Sequence, residues 1–76
     1  MYKLVGHRHI KGNKNGRDYD FMLLFCLRDN FNVIGKEAIT VNCNTVDFEA
    51  AGIQIGDEFD FAEREVNGRI SVKRFL

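Results

Sequence analysis

The residues best equipped for chemistry lie near the start of the chain. His7-Arg8-His9-Ile10-Lys11-Gly12-Asn13-Lys14-Asn15-Gly16-Arg17 carries Arg8, Lys11, Lys14 and Arg17, two imidazoles and no acid. Tyr19 follows at once, and Phe21 shares its face if the segment is a strand. Lysine and arginine neutralise phosphates and release counterions without reading sequence. Aromatic rings stack on unpaired bases, at ~1–3 kcal/mol per base. Cations beside a ring that can stack form the composition that single-stranded nucleic acid requires. Arg69, Lys73 and Arg74 form a second basic group near the other terminus, with Lys3 able to extend it.

The remaining reactive side chains point elsewhere. His7-x-His9 would project two imidazoles to one strand face, but zinc sites with close ligand pairs use C-x₂₋₄-C spacing, and Cys26 and Cys43 are far apart. No metal or other cofactor is expected. The cysteines read as small buried hydrophobes in a reducing cytoplasm, not as a disulfide. The histidines read as pH-dependent positive charge, which would tighten phosphate binding as pH falls through about 6.5. Asp57-Glu58-Phe59-Asp60-Phe61-Ala62-Glu63-Arg64-Glu65 holds acids but no nucleophile placed with them, so it reads as a solvated acidic face around two core phenylalanines. No phosphate-binding glycine loop, nucleotide fingerprint or catalytic triad is present, and an enzyme is not expected.

The elements that must position these groups are short. The chain has 76 residues, 45% of them apolar, with seven Phe, two Tyr and no Pro. One domain fits, spanning 1–76. No apolar run approaches a membrane span. Gly/Asn clusters divide the chain into five β-rich stretches, near 2–10, 18–28, 36–43, 57–66 and 69–75. The basic segment is then a flexible loop between the first two. The second stretch alternates Tyr19, Phe21, Leu23, Phe25 and Leu27 against Asp20, Met22, Leu24, Cys26 and Arg28. Both sets are apolar in the middle, as in a central strand covered on both sides; Phe21 and Phe25 read as core. Asn67-Gly68 predicts a type I′ hairpin between the last two strands. Thr45 as N-cap and Gly52 as terminator predict a short helix over 45–52, with Val46 and Phe48 plugging the barrel base. Strand, strand, strand, helix, strand, strand is the order of an all-β, five-stranded OB-like Greek-key barrel. An SH3-like barrel is the runner-up.

The formal net charge is zero, yet it is unevenly spread: residues 1–17 carry +5 and residues 44–65 carry −6. The expected geometry is a basic, aromatic site at one end of the barrel and an acidic surface away from it.

Gly16-Arg17-Asp18-Tyr19-Asp20-Phe21 resembles the Gly-Lys-Pro-Tyr-x-Leu stretch of the filamentous-phage gene V family of helix-destabilising proteins. Met1-Tyr2-Lys3-Leu4-Val5 is similar to that family's first strand, and Asn67 to Phe75 to its last hairpin. Asp18 stands where the family has proline, and the acidic stretch 57–65 has no counterpart there. The resemblance implies an OB barrel, a homodimer and sequence-indifferent binding of single-stranded DNA, with Tyr19 stacking on a base and Arg17 contacting phosphate.

The resulting expectation is single-strand binding, DNA ahead of RNA, by a cytoplasmic homodimer. Arg8, Lys11, Lys14, Arg17 and Lys73 would meet phosphates, and Tyr19 and Phe31 would stack. The alternative is a phage or mobile-element accessory module that docks on a protein partner through a sheet edge or the acidic face.

Overall fold

A computed structural model describes residues 1–76. Its elements are β1 (Tyr2–Lys14), β2 (Arg17–Asp29), β3 (Lys36–Asn44), α1 (Thr45–Ala51), β4 (Glu58–Phe59), β5 (Phe61–Val66) and β6 (Arg69–Phe75). The sheet order is β4-β1-β2-β3-β6-β5. Only Asp60 separates β4 from β5. The stretch expected as one strand over 57–66 is therefore bent, and its two halves have different partners. β4 pairs with β1 through Tyr2–Phe59 and Lys3–Glu58, while β5 pairs with β6. That division brings the two ends of the sheet together into a nearly closed barrel. β3 and β6 run parallel and the other pairs antiparallel, which is the partly open Greek-key order of the OB-like barrel.

The segment expected as a flexible loop is instead ladder. β1 continues to Lys14 and pairs with β2 down to Lys14–Arg17. Asn15 and Gly16 close the hairpin with φ of 54° and 77°. Positive φ at both central residues is the type I′ geometry, whose twist matches the strands. The outcome is a long two-stranded ribbon that reaches beyond the barrel and lengthens the molecule to 44 Å.

The core is small. Leu4, Leu24 and Val41 are fully buried, joined by Met22, Cys26, Cys43, Phe48, Phe59, Phe61 and Val72. Burial raises the Cys26 and Cys43 thiol pKa values to about 11, with Asp47 adding to the effect at Cys43. Both cysteines are free. Met22, Leu24 and Cys26 form the inward face of β2, so Phe21 and Phe25 are not core as expected: they lie on the outward face, and Phe25 is 38% exposed.

The helix ends at Gly52, whose φ of 67° and N–H bond to the Glu49 carbonyl make it the left-handed terminator. The N-cap is Asn44, not Thr45: its side chain accepts from the Val46 N–H at 2.9 Å. Thr45 is the first helical residue and is buried. Phe48 plugs the barrel, packing against the His7 ring at 5.3 Å. Val46 points away and is 71% exposed, because the two cannot share a face at a spacing of two on a helix.

Candidate nucleic-acid interface

One extra residue decides which cations face which way. The β1–β2 ladder pairs Leu4 with Cys26 and then Gly6 with Phe25, leaving Val5 as a bulge. A bulge shifts the pleat by one position, and such a shift moves every following side chain to the other face. Beyond Val5, His7, His9, Lys11 and Asn13 fall on the inward side with Leu24, Met22, Asp20 and Asp18. Gly6, Arg8, Ile10 and Gly12 fall on the outward side with Phe25, Leu23, Phe21 and Tyr19. Lys14 and Arg17 continue that outward side to the ribbon tip.

The outward face is aromatic and cationic. Tyr19 is 41% exposed, and its ring centroid lies 6.4 Å from that of Phe21. Each exposed ring lies over a glycine of β1. A Cβ at Gly12 would meet Tyr19 Cζ at 2.6 Å, and one at Gly6 would meet Phe25 Cδ2 at 3.5 Å. β3 adds Asn44, Asn42 and Thr40 beside Phe21, Leu23 and Phe25. β6 and β5 extend the row with Ser71 and Arg64 beside Asn42, and with Arg69 beside Val66. The one β2 carboxylate on this side, Asp29, sits at the far end of the strand and is paired with Lys36 at 2.5 Å.

The inward face of the ribbon is mixed in charge. His9 Nε2 lies 2.5 Å from Asp20 Oδ1, and the Thr45 hydroxyl donates to the same oxygen at 2.6 Å. These two bonds, Thr45 first, hold the Asp20 carboxyl below its ordinary pKa. Asn13 donates to Asp18 at 2.7 Å. The ribbon is thereby tied to the start of α1, and its acids are drawn away from the aromatic side. Within the ribbon, charge is sorted by strand face.

The structure brings Arg8, Lys14, Arg17 and Tyr19 together on the outward face. Lys11 is separated from them: it lies opposite Asp20 on the inward side. His7 and His9 are likewise turned away from the exposed rings, one packed on Phe48 and the other bonded to Asp20. Phe31 is 98% exposed, but it follows the opposite end of β2, on the order of 40 Å along the strand from the ribbon tip. Lys73 is exposed on β6, where the ladder with β5 steps from Val72 to Arg74 and leaves it as the extra residue, so the face of Ser71 is not carried through to it. Arg69, already part of the second basic group, joins this surface, as do Phe21, Phe25, Asn42 and Arg64, which were not anticipated there. Their signal was present only for the rings: Gly6 and Gly12, spaced as Phe25 and Tyr19 are, leave room for aromatic cover on one face.

No group of three or more His, Cys, Asp or Glu comes close enough to hold a metal ion. No helix is long and apolar enough to cross a membrane. The fold and this surface define an OB-like barrel with an exposed aromatic and basic face across β1, β2 and β3. Comparison with family models, curated proteins and solved structures finds no match to the chain.

Proposed function

We propose that this barrel binds single-stranded nucleic acid, DNA ahead of RNA, with little sequence preference overall. One observation carries the reading. Tyr19, Phe21 and Phe25 share a face with Arg8, Lys14 and Arg17, while Asp18 and Asp20 of β2 are on the other face and Asp29 is paired with Lys36. Bases stack on the rings while the backbone follows the cations. The strands and loops of this side are also where OB barrels accept oligonucleotides. The likeness of residues 16–21 to the phage helix-destabilising family points the same way. Beyond Leu4, whose backbone bonds to Gly56 and Asp57, the outer edge of β1 has no partner strand, which gives a second copy an edge to pair with. The free, buried cysteines suit a reducing cytoplasm.

The test is a fluorescent oligo-dT titration at two salt concentrations. Submicromolar binding that weakens steeply with salt supports the reading. Absence of binding at low salt overturns it.

A second reading has its own support. The β2–β3 loop is held by Asn30, which donates to Glu37 at 2.9 Å and accepts from the Asn32 N–H at 3.0 Å. Arg28 braces the same carboxylate at 2.5 Å. This fixed loop presents Phe31 and Ile34 fully to solvent. Such a projection suits docking on a protein partner, and pull-down through this loop is the experiment if oligonucleotides fail to bind.

A further inference from the structure

β3 and β6 meet at a single ladder pair, Asn42–Ser71. On the N-terminal side of that pair the two strands diverge and leave a cleft of about 560 Å³. Its walls are Leu23, Ile39 and Ile70, and its polar groups are Thr40, Asn42 and Arg69. Apolar walls with a few convergent polar groups, at this volume, are the pattern of a small-molecule site. A nucleobase has the matching form, with apolar faces and a polar edge. Arg69 is outside all three ion pairs of the chain, so its fork of donors is free. Phe25 lies beside Thr40 in the ladder, so a base in the cleft has an exposed ring next to it for its neighbour.

We propose that this cleft seats one guanine of the bound strand. The proposal rests on the single-strand reading above and adds a base preference at one position. Arg69 offers only donors and needs two adjacent acceptors, which guanine supplies as O6 and N7. The Asn42 carbonyl accepts from the opposite, donor-bearing edge of guanine, N1–H and the 2-amino group. Adenine presents a donor beside N7 and opposes the fork, and thymine has its N3–H between its two carbonyls; an unpaired cytosine offers O2 beside N3, but its one donor group, the 4-amino, adjoins that pair and leaves no donor on the opposite edge for Asn42.

The experiment measures Kd by anisotropy for dT8 and for octamers with one dG, dA or dC at each position in turn. Octamers with 7-deazaguanine or inosine at the preferred position remove N7 or the 2-amino group. The preferred dG octamer should bind about fivefold to a hundredfold tighter than dT8, the range of one good bidentate base contact. That advantage, read as the ratio of the dG octamer's affinity to that of dT8 in the same protein, should vanish with 7-deazaguanine and in Arg69→Lys, which keeps the charge but lacks the planar fork. Inosine and Asn42→Ala should each lose part of it. Equal affinity for every octamer, or preference for another base, overturns the guanine cleft and leaves single-strand binding standing. No binding of any octamer or of long oligo-dT overturns both.

Discussion

The phenol end of Tyr19 covers Gly12, so close that a Cβ at Gly12 would stand 2.6 Å from its Cζ. The two residues are direct ladder partners on the outward face. The glycine is thus the seat of the ring, which stays half-exposed while its position is set from below.

Gly12→Ala should lift the ring. The obstructing atoms are the far end of a rotatable side chain, so the fold should survive with little change in Tm. Oligo-dT affinity should fall toward that of Tyr19→Ala, which is expected to lose ~1–3 kcal/mol of binding. Anisotropy titration beside a thermal melt reads both. A Gly12→Ala protein that binds as wild type would show that the seat is irrelevant to stacking.

Phe31 provides the contrast. It is the most exposed ring of the chain, yet it stands at the other end of β2 from Tyr19. Phe31→Ala should leave the affinity for an octamer unchanged, whereas Phe25→Ala should weaken it. Equal losses in both variants would place the strand on a different path.

The salt dependence should separate cations by face. Removing one phosphate contact lowers the slope of log K against log salt by about 0.7 for a single strand. Arg8→Ala, Lys14→Ala and Arg17→Ala should each show a reduction of that order. Lys11→Ala should show much less, because Lys11 faces Asp20. Titrations from 50 to 300 mM salt measure the four slopes.

Asp20 links the ribbon to α1 through Thr45 and His9, and these bonds lower its pKa. A carboxyl whose pKa is lower folded than unfolded stabilises the fold above the ordinary carboxylate range, and this contribution is lost as pH falls through the folded value. Asp29 and Glu37 are lowered too, by Lys36 and by Arg28 respectively, so acid sensitivity is shared. Denaturation of wild type and Asp20→Asn between pH 2 and 7 isolates one share. The variant should be less stable at pH 7, and the gap should close toward pH 2. A gap that persists unchanged at low pH would assign the loss to packing.

Leu24 is fully buried at the centre of the small core. Leu24→Ala should cost about 2–5 kcal/mol, enough to unfold much of a marginal domain of this size. Urea denaturation followed by circular dichroism measures it. Leu23→Ala, one residue away on the outward face, should cost far less.

Much of the architecture was legible because local chemistry enforces it. Asn67-Gly68 closes β5 on β6 with both φ values positive. Gly52 ends the helix where a left-handed residue was required. The Gly and Asn clusters separate the strands, and Phe59 and Phe61 enter the core two residues apart as alternation demands. Asn15-Gly16 carried the same hairpin signal as Asn67-Gly68, and it makes residues 7–17 a ribbon rather than a loop. These features depend on a residue and its immediate neighbours, so the sequence by itself determines them.

Tertiary structure decided the rest. β2 is apolar on both faces, so its pattern leaves open whether Met22, Leu24 and Cys26 or Phe21, Leu23 and Phe25 go inward; packing against Val41, Leu4 and the barrel's far wall makes the choice. Asp60 divides one strand between two partners because closing the barrel requires a bend that no local propensity specifies. Val5 bulges because Leu4 must meet Cys26 in the core while Gly6 must accept the Phe25 ring. That one extra residue turns Arg8 toward the aromatic face and Lys11 toward Asp20. A period of two cannot say where it slips by one, so the sequence supplied the cations and the rings, and only the assembled sheet determined which of them share a surface.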